Sequence, residues 1–227
     1  MQKIQIAGTE IGEGCKPFIV AELSGNHQQD YALAEKMIEA AADAGVNAIK
    51  LQTYIPETMT LNLHHDDFLV NEENSLWQGE SLYELYGKAS TPWAWHKSLF
   101  AKAKSLGLIA FSSPFDATAV DFLETLDVPC YKIASFENND LPLIKKVALT
   151  GKPVIVSTGM ASESEIQELM ATIRDTGNEQ IILLKCTSNY PADASDSNLA
   201  TIDHMRNTYN CLVGLSDHSN GISVSLA

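Results

Sequence analysis

Positive charge is scarce in this sequence. Fifteen Lys and Arg stand against 29 Asp and Glu, a net charge of −14, which argues against non-specific binding to nucleic acid or to an anionic membrane, since both need a basic face. Any anion bound here must be held by a few placed cations. Long apolar runs are also missing, and no charged-then-apolar leader follows Met1, so the expectation is a soluble, cytoplasmic protein. Cysteine is sparse: Cys15, Cys130, Cys186 and Cys211 are scattered and form no C-x-x-C pair. That spacing predicts reduced, buried thiols rather than a disulfide framework or a metal site. Neither G-x-G-x-x-G after the first strand nor G-x-x-x-x-G-K occurs, which weakens nucleotide-binding alternatives.

What is present is a strict β/α rhythm. After an opening strand-turn segment, Lys3 to Lys16, the apolar run Phe18 to Ser24 reads as a strand ending in a carboxylate and a hydroxyl. Asp30 then caps a helix with Ala34, Met37, Ile38 and Ala41 at helical spacing, and Gly45 ends it. Further strands are predicted at Val46–Gln52, Leu108–Ser113, Cys130–Ser135, Pro153–Ser157, Gln180–Cys186 and Cys211–Leu215. Between them lie helices opened by Thr91-Pro92 (with Trp95, Leu99, Ala103 and Leu106 on one face), by Asp116, and by Asp140 and Pro142. A Ser162/Glu165 capping box opens the next, and Leu199, Ile202 and Met205 mark the last. Such alternation implies a parallel sheet with right-handed crossovers. With 227 residues, 45% of them hydrophobic, the expected fold is α/β, a (β/α)8 TIM barrel truncated after strand seven, forming one incomplete domain over residues 1–227.

Pro56 to Lys88 breaks the rhythm, being too long for an ordinary βα connection, although Leu82, Tyr83 and Leu85 hint at a short helix. Its His64-His65 pair reads either as metal ligands or, for want of partners, as solvated surface.

The chemistry sits at the strand ends. Lys50 and Lys132 emerge from apolar strand sequence among Ser112, Ser113, Ser135 and Ser157, and two lysines among hydroxyls suit a phosphate or phosphate-plus-carboxylate dianion. The plainer reading pairs each lysine with a neighbouring Glu, and a Schiff-base role for Lys132 is a sharper rival. Glu22 and Glu137 are candidate acids or bases, or structural ion-pair partners. Gln52, Lys185, Ser188, Tyr190 and Ser216 complete the polar edge, and His218 could ligate a metal through its imidazole.

Several strings resemble the sialic acid synthase family of nonulosonate synthases, in family order along nearly the whole chain. They include Ala21-Glu22-Leu23-Ser24-Gly25-Asn26-His27, Ile49-Lys50-Leu51-Gln52-Thr53, Ser112-Ser113-Pro114-Phe115 and Tyr131-Lys132-Ile133-Ala134-Ser135. Val156-Ser157-Thr158-Gly159-Met160, Cys186-Thr187-Ser188-Asn189-Tyr190-Pro191 and Gly214-Leu215-Ser216-Asp217-His218 continue the series. Ser75-Leu76-Trp77-Gln78-Gly79, Pro92-Trp93-Ala94-Trp95-His96 and Ser135-Phe136-Glu137 resemble the pseudaminic acid synthase branch more than the N-acetylneuraminate branch.

The resemblance implies condensation of phosphoenolpyruvate with an open-chain 2,4-diacetamido-2,4,6-trideoxy-altrose, releasing phosphate, with a divalent Mn or Mg ion. It implies that Lys50, Ser112, Lys132, Ser135, Ser157 and Ser216 hold phosphoenolpyruvate, and that Glu22 and Glu137 handle water or sugar protons. Gln52 and Tyr190 would face the sugar, Ser188 would help to choose it, since the neuraminate enzymes carry asparagine there, and His218 would be a metal ligand. The family pattern adds a second metal histidine on strand eight and a C-terminal antifreeze-like domain that reaches the partner subunit of a homodimer, both expected beyond this chain. N-acetylneuraminate or legionaminate synthesis, and an inactive phosphate- or sugar-binding barrel, are the alternatives.

Overall fold

The computed structural model describes residues 3–71 and 77–227; Ser75 and Leu76, in one branch-like string, lie outside them. The chain forms two compact units, one of residues 18–128 and the other of residues 1–17 with 129–227. The opening segment is an antiparallel hairpin of β1 (Lys3–Ile6) and β2 (Thr9–Gly12), belonging to the second unit.

In the unit of residues 18–128, β3 (Val20–Glu22), β4 (Ala48–Thr53) and β5 (Ile109–Pro114) pair in parallel, with Glu22 opposite Lys50 and Leu51 opposite Ser112. Between β3 and β4 lies α1 (Tyr31–Asp43), where the Asp30 carboxylate accepts the N–H groups of Ala32 and Leu33 at 2.8 and 3.2 Å. This cap satisfies backbone donors that the first turn leaves open. Gly45, at φ +77°, takes the left-handed turn that ends the helix.

The long connection holds α2 (Pro56–Met59), a 3-10 turn at Asp66–Phe68 and α3 (Leu82–Ala89), the short helix expected there. His64 and His65 are solvent-exposed, and His65 lies 3.7 Å from Asp67, in keeping with the surface reading. α4 (Trp93–Ser105) packs Leu99 and Ala103 against Ile38, Ile49 and Leu51. Leu106, expected on the same face, is instead 40% exposed: the helix ends at Ser105, and Gly107 at φ +80° turns the chain away before Leu106 can join the stripe. α5 (Ala117–Thr125) follows β5, capped by Asp116.

In the other unit, β6 (Tyr131–Ile133), β7 (Val154–Ser157), β8 (Ile181–Cys186) and β9 (Leu212–Ser216) pair in parallel and in chain order. The helices α6 (Leu141–Ala148), α7 (Glu163–Arg174) and α8 (Thr201–Tyr209) join them, and α9 (Ser223–Leu226) follows β9. The Ser162/Glu165 capping box is present in both directions. Each expected parallel strand is found, and two of them are shorter than expected by three or more residues. β3 stops at Glu22 as Ser24 turns to φ +50°, and β6 stops at Ile133 because Ser135–Glu137 coils into a 3-10 turn. Both interruptions fall where the polar residues begin. Among the described residues no helix is long and apolar enough to cross a membrane.

Replacing the fully buried Leu99 by alanine should lower stability by about 2–5 kcal/mol in urea unfolding, through lost contacts and a residual cavity. Leu106→Ala should change it by no more than about 0.5 kcal/mol.

Candidate active site

Parallel strands present their last side chains at one edge, and alternate residues share a face. In the unit containing β6 to β9, this places Lys132 of β6 beside Ser157 of β7. Lys132 is 6% exposed, and its ammonium donates to Ser157 Oγ at 2.6 Å and to the Ile133 carbonyl at 2.7 Å. An ammonium has three donors, so among the described residues one is left over. Burial pulls the Lys132 amine down to about 8, while the charges of Cys186 and Glu137 pull the other way.

Glu137 sits on the 3-10 turn after β6. Burial pushes its carboxyl up to about 7 against the pull of Lys132, and its buried Oε2 has no hydrogen-bond partner among the described residues. A carboxyl poised there can both give and take a proton at neutral pH.

Cys186 is a reduced, buried thiol, as expected, and lies at the centre of this cluster. Ser135 donates to its sulfur at 3.4 Å, and Ser188 Oγ and His218 Nδ1 stand 3.8 and 3.9 Å away. Burial opposes ionisation of the thiol, yet those hydrogen bonds outweigh it and bring it down to about 6. The sequence does carry a signal for this: Cys186 and Ser188 are two residues apart and share a face, whereas Lys185 points the other way, onto Thr187 Oγ1 at 2.7 Å. Two further residues went unread. Asn138 ties the loops after β6 and β7 together, donating to the carbonyls of Ser157 and Gly159 at 3.3 Å each. Gly159 has no room for a side chain: a Cβ would overlap Ser188 Oγ and stand 2.8 Å from Ser135 Oγ.

His218 follows β9 and Ser216, which pairs with Cys186 in the sheet register. Its Nδ1 meets the Thr187 carbonyl at 3.0 Å, and the Tyr190 ring lies 4.3 Å from its own. An imidazole tethered through Nδ1–H leaves Nε2 as the lone-pair nitrogen, the arrangement seen in metal-ligating histidines. Among the described residues no three His, Cys, Asp or Glu converge on a metal position.

The unit of residues 18–128 carries a second cation with hydroxyls. Lys50 forms an ion pair with Glu22 and reaches Ser113 Oγ at 3.4 Å. Glu22 also accepts the Ser24 N–H at 3.1 Å, so the ion-pair reading of this carboxylate is the one realised. Gln52, two residues beyond Lys50, shares its face.

Ser112 does not join this group. Its hydroxyl meets Thr53 Oγ1 at 2.6 Å, and Thr53 meets His96 Nε2 at 2.8 Å. His96, buried and drawn down to about 4 by that burial, is neutral and contacts the Pro92 carbonyl through Nδ1 at 3.3 Å. Its Nε2 therefore accepts from Thr53, and Thr53 accepts from Ser112. The Ser112 proton is committed to the layer between strand and helix, and Ser113 is the hydroxyl beside Lys50.

These features define a parallel α/β protein with a desolvated lysine, hydroxyls and an elevated carboxyl at its strand ends. The profile of the NeuB family matches residues 37–227, and the chain belongs to that family. It is similar to the pseudaminic acid synthase of Helicobacter pylori, with 48% identity over 205 residues covering 90% of this chain and 60% of that protein. It is also similar to the N,N'-diacetyllegionaminic acid synthase of Campylobacter jejuni, at 36% identity, covering 93% and 64% respectively. A crystal structure of N-acetylneuraminic acid synthetase from Leptospira borgpetersenii in complex with citrate superposes with a TM-score of 0.85 and 33% identity, covering 99% of this chain and 73% of that one. The chain thus spans about 60% of the length of the pseudaminic acid synthases it matches.

The raised carboxyl has a measurable signature. Native Glu137 keeps its proton up to about pH 7, whereas the unfolded chain loses it near 4.5. The native state therefore binds more protons in that window, and this group lowers stability as pH rises through it. Glu137→Gln should remove the fall, gaining roughly 1–3 kcal/mol over wild type at pH 7.5 relative to pH 4.5 in urea unfolding.

Proposed function

We propose that the full-length protein is a pseudaminic acid synthase, condensing phosphoenolpyruvate with 2,4-diacetamido-2,4,6-trideoxy-altrose and releasing phosphate. The observation that carries this reading is the buried Lys132, bound to Ser157 with a donor to spare, beside a carboxyl poised near 7. The 48% identity to a pseudaminic acid synthase supports the choice of sugar. A (β/α)8 barrel as the complete fold is part of the same reading, supported by the β/α alternation and by parallel pairing within each unit. So is a homodimer of the full-length chain in the cytoplasm.

In this mechanism Lys132, Ser157, Ser135 and Ser216 hold the phosphoenolpyruvate anion; Lys50, with Ser113 rather than Ser112 beside it, is a second anion-binding cation in the unit of residues 18–128. C3 of phosphoenolpyruvate attacks the sugar aldehyde, whose oxygen takes a proton as it becomes an alcohol. Glu137 can supply that proton, and can then accept one from the water that adds at C2. The tetrahedral adduct expels phosphate together with the bridging oxygen as the C2 carbonyl forms, the C2 hydroxyl proton passing to the departing phosphate, and the lysine that bound the dianion stabilises it on departure. Glu22 stays with Lys50 and fixes its direction, while Tyr190 and Ser188 face the sugar. A divalent Mn or Mg ion held in part through Nε2 of His218 would supply Lewis acidity toward the aldehyde.

The test is phosphate release by the full-length protein with phosphoenolpyruvate, Mn and each of three sugars: the trideoxy-altrose, the legionaminate precursor and N-acetylmannosamine. The altrose should be turned over fastest; equal turnover of N-acetylmannosamine would sink the proposal, and binding without turnover would favour an inactive barrel. By calorimetry Lys132→Ala should abolish phosphoenolpyruvate binding and Ser157→Ala weaken it about tenfold. Ser112→Ala should leave that affinity within about twofold and lower stability instead.

A further inference from the structure

The cluster after β6, β7 and β8 is polar, but two large apolar side chains next to it in the chain are exposed to solvent. Phe136, between Ser135 and Glu137, is 60% exposed, and Met160, next to Gly159, is 75% exposed. Neither contributes to a core. Their positions are nonetheless held firmly: Asn138, 7% exposed, joins the turn carrying Phe136 to the loop carrying Met160 through the Ser157 and Gly159 carbonyls. The neighbouring cluster is compact, since a Cβ on Gly159 would meet both Ser188 and Ser135.

Met160 also has an unfavourable backbone. The Ala161 N–H bonds to the Thr158 carbonyl at 3.2 Å, closing a four-residue turn with Met160 in its third position at φ +66°. That position favours glycine or asparagine. A methionine there pays local strain with no burial in return, and strain of this kind gathers at ligand sites. A flexible thioether and a phenyl ring suit methyl groups and gain nothing from hydroxyls.

We propose that Phe136 and Met160 form an apolar rim that recognises the methyl groups of a deoxygenated, N-acetylated sugar, making them specificity-determining residues of this site. The inference rests on the synthase reading above, whose sugar offers a C6 methyl and two acetyl methyls where N-acetylmannosamine offers one acetyl and a hydroxylated C6. Tyr190, whose ring lies 4.3 Å from that of His218, offers a further apolar face at the same strand ends.

The experiment compares full-length wild type, Phe136→Ser and Met160→Gly, the glycine removing the side chain while relieving the turn. Steady-state rates are measured with the trideoxy-altrose and with N-acetylmannosamine, together with KM for phosphoenolpyruvate. Each variant should lose about tenfold in kcat/KM for the altrose, the range expected for lost methyl contacts. The ratio between the sugars should shrink accordingly, with KM for phosphoenolpyruvate within about twofold of wild type. An unchanged ratio, or a parallel rise in KM for phosphoenolpyruvate, overturns the rim. If wild type releases no phosphate, the synthase reading fails on its own, and calorimetric affinity for the altrose becomes the readout. A drop of about tenfold in the variants then supports the rim, while equal affinity, or no binding by wild type, overturns it.

Discussion

A charged amine inside a protein is costly, and the strand ends of β6 to β9 are organised around meeting that cost at Lys132. Stripped of water, the amine falls to about 8 and keeps its charge through a short bond to Ser157 and the Ile133 carbonyl. Two partners satisfy an ammonium only in part, so an arriving dianion would complete it. Glu137 is the complementary case, a carboxyl that burial drives toward its neutral form within reach of the same charge. Opposite shifts in two electrostatically coupled groups bring both titrations near neutrality, where proton transfer is easiest.

Packing enforces this arrangement. Gly159 cannot carry a side chain without displacing Ser188 and Ser135, and the Asn138 amide fastens the two loops that hold them. The strands end early where the polar work begins: β6 gives way to a 3-10 turn at Ser135 and β3 to a left-handed Ser24. The regular layers beneath, closed by caps at Asp30 and Ser162, provide the rigidity that such irregular ends need.

Much of this was legible in the sequence because it is local. Helix caps, the β/α alternation and the lysines at strand ends are written in short patterns, and the structure has them where expected. Faces were harder. Ser112 and Ser113 are adjacent hydroxyls, and a one-residue shift exchanges the two sides of a strand. Only the neighbours decide between them: Thr53 and His96 claim the first, Lys50 the second. Cys186 was overlooked because a thiol within an apolar run reads as packing until Ser135, Ser188 and His218 are seen around it. Leu106 fits a helical stripe that the chain leaves one residue too soon.

The central claim is that Lys132 is a desolvated cation completed by the phosphate of its substrate. Nitrogen-15 NMR of the lysine side chains, recorded on the full-length protein with and without phosphoenolpyruvate, tests it directly. The account predicts that the Lys132 amine titrates near 8 in the free protein and stays protonated well above that when the ligand is bound. A titration that ignores phosphoenolpyruvate, or an amine converted to an imine, would contradict it.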